Sequence, residues 1–278
     1  MIFGYGFIGS TFASMAAGAR YDVSATLRTP ERGRQLDAMG ITPVSVGNAQ
    51  ALAKAVRAAS GLLICPPPGD DGCPAFAALS QHLVETPRKW IGYLSTTGVY
   101  GDRDGGWVWE DSARSPSSAE GRRRVLAEDQ WCSLDHDINI FRLPGLYGPG
   151  RNVIERLIAG EARNVQKPGH VFSRLHHDDC ATALLASLQR GGRDTFNLCD
   201  DEPAAADQVL AYGAQLAGLP LPEAIAWDDP RMPPTARRFY ADNKRVSNAR
   251  AKAVLGWRPA YANYRQGLDA IWEELNHG

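Results

Sequence analysis

An α/β fold, a doubly wound parallel sheet with a smaller C-terminal lobe, is what this sequence predicts, and three observations carry it. Strand and helix signals alternate through the first half of the chain, which implies parallel strands joined by right-handed crossovers. The run Gly61-Leu62-Leu63-Ile64-Cys65 is apolar without alternation, as a strand buried on both faces requires. The chain also opens on an apolar strand, the loop Gly4-Tyr5-Gly6-Phe7-Ile8-Gly9, and a helix of small residues from Ser10 to Gly18.

Each further element follows from local pattern. Asp22 to Arg28 is a second strand, and Pro30 opens a charged helix over Glu31 to Met39. Ile41 to Val46 is a third strand, followed by an alanine-rich helix from Ala49 to Ala59. Pro66-Pro67-Pro68-Gly69 stops the fourth strand, and a helix spans Pro74 to Val84. Trp90 to Ser95 is the fifth strand, Ser118 to Leu134 a helix, and Ile138 to Leu143 the sixth strand. The second half is more mixed. It reads as a helix from Val153 to Glu161, a strand from Phe172 to His176, a helix from Asp179 to Gln189 and a seventh strand, Thr195 to Cys199. A helix from Asp207 to Ala217, a proline-rich stretch over Gly218 to Pro234, and helices at Asn248–Leu255 and Tyr264–Leu275 complete it. The expected division is a nucleotide-binding lobe over 1–150, joined by 172–200, and a substrate lobe over 151–171 and 201–278.

Composition narrows the function classes. The chain has 278 residues, 44% hydrophobic and 22% charged, enough to bury a full core. A formal net charge of −1 argues against a nucleic acid held by charge. No apolar run reaches the roughly 18 residues of a membrane span. The five cysteines form no CxxC pair and read as reduced thiols, so a cytoplasmic protein without a metal centre is expected. The strand ahead of the glycine loop is short by about two residues against a usual strand, so the true start is expected to lie slightly upstream. No secretory leader is expected either.

The glycine loop points to a dinucleotide. Gly4 permits a tight turn, Gly6 lets backbone approach a pyrophosphate, and Gly9 lets the helix pack on the strand. The pyrophosphate would meet free N–H groups and the positive end of the helix dipole. A carboxylate about 20 residues on would bind a ribose 2′-hydroxyl. Arg28 stands there instead, with Arg32 and Arg34 behind it, and a guanidinium matches a 2′-phosphate. NADP is therefore expected over NAD. Asn48, after the third strand, reads locally as a cap of the helix from Ala49.

These segments, with Leu94-Ser95-Thr96-Thr97-Gly98-Val99-Tyr100-Gly101, Arg142-Leu143-Pro144-Gly145-Leu146-Tyr147-Gly148-Pro149-Gly150, Phe172-Ser173-Arg174-Leu175-His176-His177-Asp178-Asp179 and Phe196-Asn197-Leu198-Cys199, resemble the short-chain dehydrogenase/reductase superfamily, in its extended or atypical NAD-dependent epimerase/dehydratase-like branch. So do Asn243 to Asn248 and Leu255 to Pro259 at the end of the chain. The resemblance implies a Rossmann-type lobe and an NADP-dependent oxidoreductase or epimerase/dehydratase. Its substrate would be a nucleotide-sugar or another small hydroxyl or carbonyl compound. The alternative is an NADP-binding sensor without turnover. The resemblance also implies a homodimer through the helices at 74–84 and 118–134, where Leu79, Leu83, Leu126 and Trp131 are apolar.

The family's usual Ser/Thr and Tyr-x-x-x-Lys are only partly present. Thr96 stands at the Ser/Thr position, but Glu120 replaces the tyrosine and Arg124 the lysine. Thr96, Glu120 and Arg124 are the catalytic candidates: Thr96 to polarise the substrate oxygen, Arg124 to hold the nicotinamide ribose, and Glu120 to act as base or merely as a solvated charge. Cofactor contacts are expected from Gly4, Tyr5, Gly6, Phe7, Ile8, Gly9, Arg28, Asn48, Pro66, Ser95, Tyr100 and Arg124. Substrate contacts are expected from Thr97, Tyr147, Arg174 and His177. Asp178 or Asp179 reads more simply as a helix N-cap. Arg151 and Arg174 either face an anionic substrate or make surface ion pairs.

Overall fold

The computed structural model describes residues 1–27 and 29–277. The first half winds as β1 (Ile2–Phe3), α1 (Phe7–Gly18), β2 (Ser24–Leu27), α2 (Pro30–Ala38), β3 (Thr42–Ser45), α3 (Ala49–Ala58), β4 (Gly61–Ile64), α4 (Pro74–Leu83) and β5 (Trp90–Thr96). A short pair strand, β6 (Trp107–Val108), precedes α5 (Ala119–Cys132), β7 (Asp137–Leu143) and β8 (Gly145–Tyr147). The remainder comprises α6 (Val153–Ile158), β9 (Asn164–Gln166), β10 (Arg174–His176), α7 (His177–Arg190), β11 (Asp194–Asn197), α8 (Ala206–Ala217), β12 (Ala224–Ala226), α9 (Pro234–Arg237), β13 (Arg245–Val246), α10 (Ala249–Leu255) and α11 (Tyr264–His277).

Seven parallel strands make the central sheet in the order β11-β7-β5-β4-β1-β2-β3. The order reverses at β1, so β1 and β4 flank the point where ligands bind in open α/β sheets. The helices cover both faces. Ile8, Phe12 and Ala16 of α1 pack with Ala181 and Leu184 of α7 on one face. Leu52 and Val56 of α3, Leu79 and Leu83 of α4, and Ala127 and Trp131 of α5 cover the other. Every residue of β5 except Thr96 is buried, which is why its sequence lacks alternation. A second core gathers Tyr147, Ile154, Val209, Tyr264, Leu268 and Ile271 from β8, α6, α8 and α11.

Several expectations shift by a residue or two. The strand expected from Phe172 begins at Arg174, because Phe172 instead forms a lone antiparallel bridge with Ala204. The helix expected from Asp179 begins at His177, and its cap is the His176 ring, which accepts from the Asp178 N–H. Asp179 turns to the C-terminal segment, accepting from the amides of Ala260 (2.6 Å) and Tyr261 (3.1 Å). Leu79, Leu83 and Trp131, expected on a dimer face, are fully buried within the chain. Of the four apolar residues named for that face, Leu126 alone reaches solvent. Among the described residues, no helix is long and apolar enough to cross a membrane.

Candidate functional cleft

The glycine loop joins β1 to α1. Gly4 has φ +93°, a conformation open to glycine, and its N–H donates to Thr26 Oγ1 at 2.8 Å. Gly4 also packs against the Pro66 ring, where a Cβ would come within 2.9 Å of it. A Cβ on Gly9 would lie 2.6 Å from the Gly4 carbonyl oxygen. At Gly6 a Cβ would meet nothing within 4 Å. That open space faces the start of α1, whose first turn carries no acidic residue and no side-chain cap. Its unpaired N–H groups and the space beside Gly6 fit a pyrophosphate. The Tyr5 hydroxyl points the other way, toward Met39 Sδ, while its carbonyl accepts from Arg32 at 3.3 Å. Arg28 lies outside the described residues.

A cleft of about 310 Å³ runs from Gly6 and Phe7 to the C-terminal ends of β5 and β7. Its walls are Phe7, Ile8, Cys65, Leu94, Leu143, Pro144 and Leu146; its polar groups come from Ser95, Thr96, Arg124 and Arg151. Thr96 ends β5, and its Oγ1 accepts from the Gly98 N–H at 3.2 Å, leaving the hydroxyl proton free to point at a ligand. Arg124 reaches the same space from α5, donating to the Leu94 carbonyl and to the Tyr93 hydroxyl (3.3 Å). Burial pushes the Tyr93 phenol above its ordinary range, against the pull of Arg124. Burial likewise pushes the Cys65 thiol up to about 12, so it stays protonated.

Ser95 is committed elsewhere. Its hydroxyl donates to Glu128 Oε1 at 2.6 Å, and Glu128 in turn accepts from Arg142 (3.1 and 2.9 Å) and Arg114 (3.3 Å). That buried network fixes the end of β5 and so the direction of Thr96.

The structure does not bring every expected residue to the cleft. Glu120 lies outside it: its side chain is 56% exposed and pairs with Arg238 at 2.8 Å, which draws it off the cleft and over the second lobe. Asn48 is a helix cap, accepting from the Ala51 N–H. Tyr100 is wholly buried, donating to Asn197 (2.6 Å) and accepting from Arg142 (2.9 Å), because the chain turns inward after Thr96. Thr97 is buried behind that turn. Tyr147 is buried with its ring edge on His176, and Arg174 spends its guanidinium on the carbonyls of Phe172 and Ala204. His177 packs on Phe7, its Nδ1 2.9 Å from Thr11 Oγ1, and ties α1 to the start of α7. Burial, partly offset by Asp178, holds its imidazole below the ordinary range. His176, His177 and Asp178 place three ligand-type atoms within 4.8 Å, yet His176 Nδ1 is already the helix cap. Cys65, Pro144 and Leu146 were not singled out from the sequence; as apolar residues at strand ends they carry no local sign of lining a cleft.

No family model matches the chain. A solved structure, described as a functionally unknown conserved protein from Silicibacter pomeroyi DSS, is 39% identical and superposes with a TM-score of 0.89. That match covers 98% of this chain and 97% of the other. The "3-diazoavenalumate denitrifying reductase" of a Streptomyces species is 30% identical over 175 residues, 58% of this chain and 53% of that protein. The chain spans about half the length of the curated relatives it matches. The dTDP-glucose 4,6-dehydratase of Bacillus anthracis, solved in complex with NAD, shares the fold at 17% identity and a TM-score of 0.79, covering 99% of this chain and 96% of that one.

Proposed function

We propose that the chain, which shares the fold of NAD-dependent epimerase/dehydratases, is a nicotinamide-dependent oxidoreductase or epimerase/dehydratase-type enzyme of the short-chain dehydrogenase/reductase superfamily. Its substrate is a small carbonyl or hydroxyl compound, and NADP is preferred to NAD. The single observation that carries this reading is that Thr96 and Arg124 open onto the same cleft as the Gly6–Gly9 helix start.

The bound dinucleotide supplies hydride transfer; the rest falls to the chain. The start of α1 holds the pyrophosphate, and Arg124 holds the nicotinamide ribose where the family has lysine. Thr96 donates its free hydroxyl proton to the substrate oxygen, stabilising charge that develops there. A guanidinium does not release its proton. The polar lining is otherwise Ser95, the Arg151 guanidinium and a protonated thiol, so the proton that completes reduction reaches the oxygen from water by way of Thr96. The NADP preference rests on Arg28 by sequence position, and the Arg32 guanidinium at the Tyr5 carbonyl adds positive charge beside the loop. A homodimer completes the reading, tested by sedimentation at micromolar concentration; a monomer there removes it.

Calorimetry with NADPH and NADH, followed by turnover on a panel of aldehydes and ketones, tests the assignment. NADPH is expected to bind at least tenfold tighter, about 1.4 kcal/mol. Arg28→Asp should reverse or abolish that preference. Failure to bind either dinucleotide rejects the function. Because the cleft lining offers no carboxylate, imidazole or phenol, a second reading is a cofactor-binding sensor. Tight binding with no hydride turnover on any carbonyl selects it.

A further inference from the structure

Arg151 is the one cation of the cleft that the proposed chemistry leaves unused. Gly148-Pro149-Gly150-Arg151 forms a tight turn: the Arg151 N–H donates to the Gly148 carbonyl at 3.0 Å, and Gly150 has φ +73°. Proline and then glycine at the two central positions suit a type II turn. Asn152 pins it, its Nδ2 donating to the Gly148 carbonyl at 3.1 Å while its Oδ1 caps α6. This rigid support carries the Arg151 guanidinium over the Phe7 ring, 5.5 Å from its centroid, at the solvent-open mouth of the cleft.

Most arginines of this protein are spent. Arg123, next to Arg124, pairs with Asp70 at 2.6 Å; Arg142 pairs with Glu128; Arg265 pairs with Glu202. Among the described residues, the Arg151 guanidinium makes no hydrogen bond and has no carboxylate within 4.0 Å. Arg124 also lacks a carboxylate partner, and the cleft lining contains no acidic residue at all. The cleft is thus a small, largely apolar space with two positive charges and nothing of the chain's own to balance them. Apolar walls strengthen such a field, and a guanidinium with free donors can bind an oxyanion bidentately.

We propose that Arg151 anchors an oxyanion of the substrate, a carboxylate or a phosphate, so that this enzyme selects anionic carbonyl or hydroxyl compounds. This assignment rests on the cleft being the reaction site proposed above. Thr96 and Arg124 then attend the reacting end of the substrate, and Arg151 its anionic end.

Three probes of similar size test it by calorimetry: benzoate, phenyl phosphate and neutral benzyl alcohol. Each is titrated into the apoprotein and into the NADPH-loaded protein, native and Arg151→Met. At least one of the two anions should bind tenfold or more tighter than benzyl alcohol to the native protein. Arg151→Met should bring anion and alcohol within twofold, with NADPH affinity unchanged, and Arg151→Lys should keep part of the preference. The benzoate and phenyl phosphate arms separate a carboxylate from a phosphate. Equal binding of anions and alcohol by native protein overturns the proposal, as does a preference that survives Arg151→Met. A tenfold loss of NADPH affinity in Arg151→Met assigns the residue to the cofactor pyrophosphate and also overturns it. Native protein that binds neither dinucleotide rejects the proposed function instead, while the apoprotein titrations still decide whether Arg151 holds an anion.

Discussion

Adding one methyl group at each of two glycines separates the structural from the ligand-binding work of the loop. Gly9→Ala would set a Cβ 2.6 Å from the Gly4 carbonyl oxygen and 3.3 Å from Ile2 Cγ2. The nearer neighbour is backbone, so α1 must move off β1. Overpacking of this kind costs about 1–3 kcal/mol. At roughly 2–4 °C per kcal/mol for a domain of this size, Tm should fall by about 2–12 °C. Gly6→Ala meets nothing within 4 Å, and Gly6 sits at φ −121°, which alanine adopts freely. Its Tm should hold or rise slightly, since alanine narrows the unfolded ensemble by about 0.4–1 kcal/mol. The methyl would instead occupy the space in which the pyrophosphate approaches. NADPH affinity should fall at least tenfold, about 1.4 kcal/mol. Scanning calorimetry and NADPH titration of the two variants decide the matter. Native affinity in Gly6→Ala would refute the placement of the pyrophosphate, and a native Tm in Gly9→Ala would refute the packing argument.

Glu120→Gln should turn over within about twofold of native on any true substrate, because Glu120 faces Arg238 and solvent; an acid–base group would cost roughly 10²–10⁴. Glu128→Gln leaves Arg142 buried without its counter-charge and should cost about 3–5 kcal/mol in urea denaturation, so a loss under 1 kcal/mol would show the network to be dispensable. Asp200 is buried, and burial pushes its carboxyl up to about 8 against the pull of Arg174. Between about pH 4 and pH 8 the folded chain keeps a proton that the unfolded chain has released, so this group takes stability away as pH rises. Asp200→Asn should therefore gain on the native protein by about 2–4 kcal/mol between pH 5 and pH 8; a pH-independent difference contradicts the shifted carboxyl.

Much of this molecule is readable without its structure because it rests on local rules. Strands buried on both faces leave unbroken apolar runs, as in Gly61–Ile64, and the intervening helices carry their own starts at Pro30, Asn48, Pro74 and Ser118. The glycine spacing locates the tight turn between β1 and α1, and distance along the chain places Thr96 at the end of β5. The two- and three-residue strands β6, β8, β9, β12 and β13 are too short to leave a period. What the side chains do was decided by the tertiary path. Glu120 and Arg124 stand four apart on α5, yet one meets Arg238, 118 residues away, while the other meets the Leu94 carbonyl. Tyr100 follows Thr96 by four residues and is drawn inward by Asn197 and Arg142. Arg151, the first residue of the expected substrate lobe, reaches back to Phe7. A charge's role depends on which partner the fold brings within a few ångströms, and no local repeat in the sequence records that distance.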